Sequence, residues 1–236
     1  MPTPQTPLVD ALQADATSSA TKVRRQLESF LVSEKVDLVH VRSRAPAWIA
    51  LPVAARMGIA TVSTVHGRFL AHSAFKHRYN GKLLKTNHVI AISNYVKELI
   101  TSQYAGIEDR LSVVHRGVDI DLFNPEKVNQ ARIINFVDDL AVPEDLPVVM
   151  LPARATEWKG HRILLQALAT IKDRPFICLM IGAGDSKPAF SRRLARFGKE
   201  LGLEGRFRLT PIIDDMPAAL MVADVVVMPS ITPEPF

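Results

Sequence analysis

Short apolar runs rich in valine and isoleucine recur along the chain, each followed by a stretch whose apolar residues fall at helical spacing. The runs predict strands at 37–41, 60–65, 88–92, 111–115, 148–153, 176–181, 207–210 and 225–228. Their near-continuous hydrophobicity is that of strands covered on both faces. Parallel sheets flanked by helices demand such cover, so the pattern reads as α/β with doubly wound units. Helices are expected at 20–32, 46–57, 94–104, 160–172, 188–201 and 217–222. In 160–172 the residues Ile163, Leu164, Ala167, Leu168 and Ile171 form one stripe, the face predicted to pack on a sheet.

The rhythm breaks between Phe123 and Pro147, where FNPEKVNQAR leads into the acidic, proline-bearing DDLAVPEDLP. This places a first domain at 1–136, a linker at 137–146 and a second domain at 147–236. With 236 residues, 47% of them hydrophobic, the chain has material for two modest cores.

Composition narrows the function classes. The charge of +5 is spread along the chain and only 6% of residues are aromatic, which argues against the basic, aromatic-interleaved stripe of a nucleic-acid binder. It suits anionic ligands or the anionic face of a membrane. The single cysteine, Cys178, lies in an apolar run, so neither a disulfide nor a cysteine-based metal site forms within the chain, and it reads as a buried strand residue in a reducing cytoplasm. The polar, proline-containing opening lacks signal-peptide features, and no apolar run approaches the ~20 residues of a membrane span.

The loop after the strand ending near Ala153 carries the most suggestive chemistry. Arg154 is followed by Trp158, Lys159 and Gly160 and then by an amphipathic helix. Ligands of open α/β sheets bind beyond the carboxyl ends of strands, and a helix N-terminus there offers free N–H groups to an anion. Arg154 can grip phosphate oxygens, Lys159 adds a point charge and Gly160 permits close backbone approach, which together describe a diphosphate site. The bland alternative is a solvated basic loop. After the next strand, Gly182 and Gly184 in IGAGD allow a tight turn against a phosphate or sugar. Lys187 stands where a dinucleotide fingerprint has its third glycine, which weighs against a nicotinamide- or flavin-dependent oxidoreductase. Glu234, between Pro233 and Pro235, offers a carboxylate to sugar or ribose hydroxyls, unless it belongs to a frayed chain end. His66, in TVHGR, closes a strand of the first domain, and His40-Val41-Arg42-Ser43-Arg44 ends another and adds polar groups to the same rim. Asn94 reads as a ligand or as an ordinary helix N-cap.

Taken in order, the stretches TVHGRF, HVIAISNYVKELI, LSVVHRGVDIDLFNP, LPARATEWKGH, LMIGAGD and ADVVVMPSITPEPF resemble the retaining glycosyltransferases of family 4. The resemblance implies two Rossmann-like parallel-sheet domains facing across a cleft (GT-B), and transfer of a hexose from a UDP- or GDP-sugar to a hydroxyl of a glycan or glycolipid such as lipopolysaccharide. It gives Arg154 and Lys159 the nucleotide diphosphate, Glu234 (the first glutamate of an E-x7-E motif) the donor sugar, and His66 a place beside that sugar. Gly160, Gly182 and Gly184 join the donor site. No obligatory metal or other cofactor is implied, and retention by front-face attack needs no protein nucleophile. The implied setting is cytoplasmic, with peripheral contact at the inner membrane.

Three departures accompany the resemblance. Arg116 replaces the asparagine of the family's N-G-V-D turn, Thr210-Pro211 replaces a glycine-containing turn, and the second glutamate of E-x7-E would lie beyond Phe236. With no opening strand and glycine-rich loop before residue 37, both domains are expected to be incomplete, and a nucleotide-binding but catalytically inactive fragment is the alternative to an active transferase.

Overall fold

The computed structural model describes residues 20–184 and 188–235. It divides into two compact units, one running to Gly117 and the other spanning Val118–Glu234, with Pro235 grouped with the first. The division falls well before the expected 136/147 boundary. The sequence rhythm broke over 123–147, yet the helix Gln130–Asp139 buries Phe136 in the core of the second unit, together with Val142, Val148 and Met150. Arg132 ties that helix down by donating from Nε and Nη2 to the two carboxylate oxygens of Asp215, at 2.7 and 2.6 Å.

The first unit alternates helix and strand: α1 (Ala20–Ser33), β1 (Leu38–Val41), α2 (Arg44–Arg56), β2 (Ala60–Val65), α3 (Ala74–Gly81), β3 (His88–Ala91), α4 (Asn94–Thr101) and β4 (Leu111–Val113). Its strands form a parallel sheet in the order β1-β2-β3-β4. The core gathers Val65, Val89 and Ala91 from the strands with Leu51, Val96 and Ile100 from the helices. Ser93, not Asn94, caps α4: its hydroxyl accepts from the Val96 amide at 3.2 Å, and Asn94 is the first helical residue.

The second unit runs α5 (Gln130–Asp139), β5 (Val148–Pro152), α6 (His161–Ala169), β6 (Ile177–Ile181), α7 (Pro188–Glu200), β7 (Phe207–Thr210), α8 (Met216–Val222) and β8 (Val225–Val226). Its parallel sheet has the order β7-β6-β5-β8. All five residues of the inner strand β6 are buried, as a doubly covered strand requires, whereas Val225 and Val226 of the edge strand β8 are exposed. Cys178 lies in β6 with no exposure, and burial pushes its thiol up to about 12.

Helix α6 forms where expected but turns a different face inward. The buried positions are His161, Leu164, Leu165 and Leu168, a regular i, i+3, i+4, i+7 set, while Ile163 and Ile171 are largely exposed. The predicted stripe did not include His161 or Leu165. In the fold this ring is a core residue, within 3.3 Å of the Ala153 carbonyl oxygen and edge-on to Phe190.

Candidate functional site

In the second unit, β5 ends in Pro152 and the chain passes through Ala153 and Arg154 into a tight turn, Glu157–Lys159, before α6. Gly160 joins the turn to the helix with φ of +74°. A Cβ on it would lie 1.8 Å from the Pro229 carbonyl oxygen, so only glycine fits. That close approach seats the loop after β8 against the start of α6, and the Ile231 amide fastens it by donating to the Trp158 carbonyl at 2.9 Å.

The result is a polar cluster assembled from residues 75 apart in sequence. Lys159 Nζ donates to Glu234 Oε1 at 2.7 Å, with side chains 14% and 22% exposed, so the pair is largely withdrawn from water. The Ser230 hydroxyl donates to the same oxygen. Lys159 Nζ also stands 4.3 Å above the centroid of the Trp158 ring, which adds a cation–π contact. The other carboxylate oxygen, Glu234 Oε2, is buried and has no hydrogen-bond partner. A buried acceptor of this kind is costly on its own and has strong affinity for a hydroxyl donor.

Arg154 and Gly182 meet in a separate groove of 340 Å³ beyond the carboxyl ends of β5 and β6. Its walls are otherwise apolar, with Phe123, Ile181, Ile212 and Met216, and the exposed Arg154 is its one charged lining residue. Gly182 (φ +83°) donates to the carbonyls of Thr210 and Pro211 at 3.1 and 3.0 Å, and its own carbonyl accepts from Ala155. Gly184 donates to Thr210 O at 2.7 Å, and a Cβ there would lie 2.8 Å from the Thr210 carbonyl carbon. Its lack of a side chain is thus explained by the approach of the Thr210-Pro211 backbone. Asp185 and Lys187 fall outside the described residues.

In the first unit, His66 leaves the end of β2 and sits between two arginines. Arg42 Nε, just past β1, donates to His66 Nε2 at 3.1 Å, and Arg116 Nη2, just past β4, stands 2.5 Å from His66 Nδ1. Burial, then the charges of Arg116, Arg42 and His40, hold the His66 pKa below its ordinary value. Next to it His40 Nε2 lies 2.7 Å from the Thr64 hydroxyl. Sequence reasoning named Arg42 as a polar residue on the rim and Arg116 as a departure from a family turn; their convergence on one ring was not legible. Among the described residues no group of three or more His, Cys, Asp or Glu side chains is arranged to hold a metal ion, and no helix is long and apolar enough to cross a membrane.

With this geometry in view, comparison with known proteins becomes specific. Residues 5–122 match the profile of Glycosyltransferase Family 4, and residues 146–236 match that of Glycosyl transferases group 1. The chain belongs to glycosyltransferase family 4. Among curated relatives of this family, a 2-deoxystreptamine glucosyltransferase from Streptomyces kanamyceticus is 26% identical over 96% of this chain and 60% of its own length. The crystal structure of a glycosyltransferase from Rickettsia africae ESF-5 superposes with a TM-score of 0.80 at 29% identity, over 98% of this chain and 64% of that one. An Anabaena protein, HepE, crystallised with UDP and glucose, shares the fold with a TM-score of 0.76 at 24% identity, over 92% of this chain and 57% of its own. The fold is that of GT-B glycosyltransferases, with two Rossmann-like parallel sheets. The chain spans about half of the length of the curated relatives it matches.

Proposed function

We propose that this chain binds a nucleoside-diphosphate hexose, a UDP- or GDP-sugar, through its second unit and supports transfer of the hexose with retention to a hydroxyl of a glycan or glycolipid. The observation that carries the reading is the half-buried Lys159–Glu234 pair beside the Gly160 turn, in a family 4 chain whose relative from Streptomyces is named as a glucosyltransferase and whose structural neighbour holds UDP and glucose. The apolar groove that ends in Arg154 suits a nucleoside with its first phosphate at the guanidinium. Lys159 then serves the second phosphate, and Glu234 accepts from a donor-sugar hydroxyl through Oε2.

The chemistry follows from those roles. Cleavage of the C1–O bond leaves negative charge on the departing phosphate, and Arg154, together with Lys159 already held by Glu234, stabilises that charge more than it stabilises the intact donor. The acceptor hydroxyl attacks C1 from the face that the phosphate leaves, and its proton passes to a phosphate oxygen, so no metal or protein nucleophile enters the step. His66 is assigned to the sugar-proximal part of the first unit. A cytoplasmic setting, with the basic balance favouring peripheral contact with an anionic membrane, completes the proposal.

Incubating the purified chain with UDP-glucose and GDP-mannose in the presence of lipopolysaccharide cores or short glycans tests this reading. Release of UDP or GDP coupled to a new α-linked product is expected. Saturable nucleotide binding with no transfer to any hydroxyl would reduce the chain to a binding module, and absence of nucleotide binding would overturn the assignment of the groove.

A further inference from the structure

A second gathering of cations lies in the first unit, away from the strand ends that carry His66. A hollow of 510 Å³ is lined by Arg78, Lys82, Lys85 and Arg110, with Trp48 and Tyr104 among its walls. Arg110 directly precedes β4 and Lys85 stands three residues before β3, so these cations mark the amino ends of both strands. Neutral groups fix Arg110 and Lys82 in place. Arg110 Nη1 donates to the carbonyl oxygens of Leu84 and Thr86, the latter at 2.8 Å, which engages one nitrogen of the fork and leaves the others to a ligand. Lys82 Nζ rests 5.6 Å from the centroid of the Trp48 ring, which itself stacks on Tyr79. Burial, then the charges of Lys85 and Arg24, hold the Lys82 pKa below its ordinary value, so this ammonium already feels its like-charged neighbours. Among the described residues no carboxylate lies within ion-pair range of Arg78, Lys82, Lys85 or Arg110, whereas Arg56 of the same unit has Glu28. Glu108 and Asp109, next to Arg110 in sequence, are exposed and take no place in the lining. Like charges held around one cavity lower their energy by taking up an anion.

We propose that Arg78, Lys82, Lys85 and Arg110 bind a phosphomonoester group, at a site separate from those of the donor and the acceptor. The choice of phosphate rests on charge: this cluster outweighs the single charge of a carboxylate and suits the roughly −2 of a phosphomonoester near neutral pH. Two of its members are guanidiniums, whose fork pairs two oxygens at once. The volume admits the body of the ester beside its phosphate, against Trp48 and Tyr104. A free phosphate ester and the headgroup of phosphatidate both present this group.

Calorimetric titration of the purified chain with glycerol 3-phosphate, glycerol and acetate at constant ionic strength tests the proposal. Glycerol 3-phosphate is expected to bind about tenfold or more tighter than either comparison ligand. The double variant Arg78→Gln/Lys85→Gln should lose about tenfold of that affinity. Both side chains are exposed, so the melting temperature should not move. If it does, Lys85→Glu alone, a single change at an exposed position, decides in its place with the same loss expected. Lys159→Ala and Arg42→Gln should leave glycerol 3-phosphate binding unchanged, which separates the hollow from the donor site and from the His66 rim. Equal affinity for glycerol 3-phosphate and acetate, equal binding by parent and double variant, or loss of binding in Lys159→Ala would overturn the proposal. Sedimentation with vesicles of phosphatidate in phosphatidylcholine, against phosphatidylcholine alone, then names the source. Retention that the double variant loses assigns the phosphate to a lipid headgroup, no retention assigns it to a free ester, and either result upholds the site.

Discussion

Two parallel four-stranded sheets deliver charged side chains to their carboxyl ends in this chain, and they do so in opposite ways. In the second unit the cation arrives with its counter-charge: Lys159 is paired with Glu234, braced by Ser230 and pressed against Trp158. In the first unit Arg42 and Arg116 converge on the His66 ring, and among the described residues no carboxylate lies within ion-pair range of either. The difference is one of preorganisation. A paired, half-buried lysine is held in its geometry by the protein itself. The two arginines, both exposed, have no such partner among the described residues and meet at the imidazole between them.

The comparison breaks most severely at the glycine that builds the second site. Gly160→Ala puts a Cβ 1.8 Å from Pro229 O at a positive φ, and should destabilise the second unit by about 3 kcal/mol or more in urea unfolding. Gly117→Ala at the end of the first unit meets nothing within 4 Å and should stay within about 0.5 kcal/mol. Equal effects would show that the Pro229 loop is free to move away. Next in size, Lys159→Ala should lower sugar transfer by about tenfold or more, because it removes a cation from the leaving phosphate and leaves Glu234 to repel it; Glu234→Gln, which keeps an acceptor oxygen, should cost less.

A smaller effect concerns acid. Burial holds the pKa of His161 below 6.5, so the unfolded chain binds a proton that the folded chain refuses. Its stabilising contribution is full above pH 6.5 and falls as pH drops toward the folded value. The melting temperature should therefore decline between pH 7.5 and 5.5, and His161→Gln should flatten that decline; an unchanged slope would show that other groups set it. Least of all, Glu157→Ala breaks only an exposed 3.7 Å contact with Arg193 and should change stability by under about 0.5 kcal/mol.

The eight strands among the described residues were legible in the sequence, because strands of doubly covered parallel sheets read as short apolar runs. Helix α3 was not legible: AFKHRYNG has no apolar stripe, Phe75 is 81% exposed, and the buried side chain is Asn80. Helix α5 was hidden by its surroundings, since the acidic, proline-bearing stretch after it resembled a linker while the bidentate Arg132–Asp215 contact that anchors it spans 83 residues. The same limit applies to the sites. Arg154, Lys159, Glu234 and His66 were each identified as single residues with suggestive neighbours. That Lys159 meets Glu234, and that His66 separates Arg42 from Arg116, depends on sheet register and loop seating, which no local pattern encodes.

The central claim is that Lys159 and its loop form the diphosphate site. Calorimetric titration of UDP into the purified chain and into its Lys159→Ala variant tests it most directly. Saturable binding to the parent chain that weakens by about tenfold or more in the variant is the predicted result. Binding of UDP with unchanged affinity to the variant would contradict it.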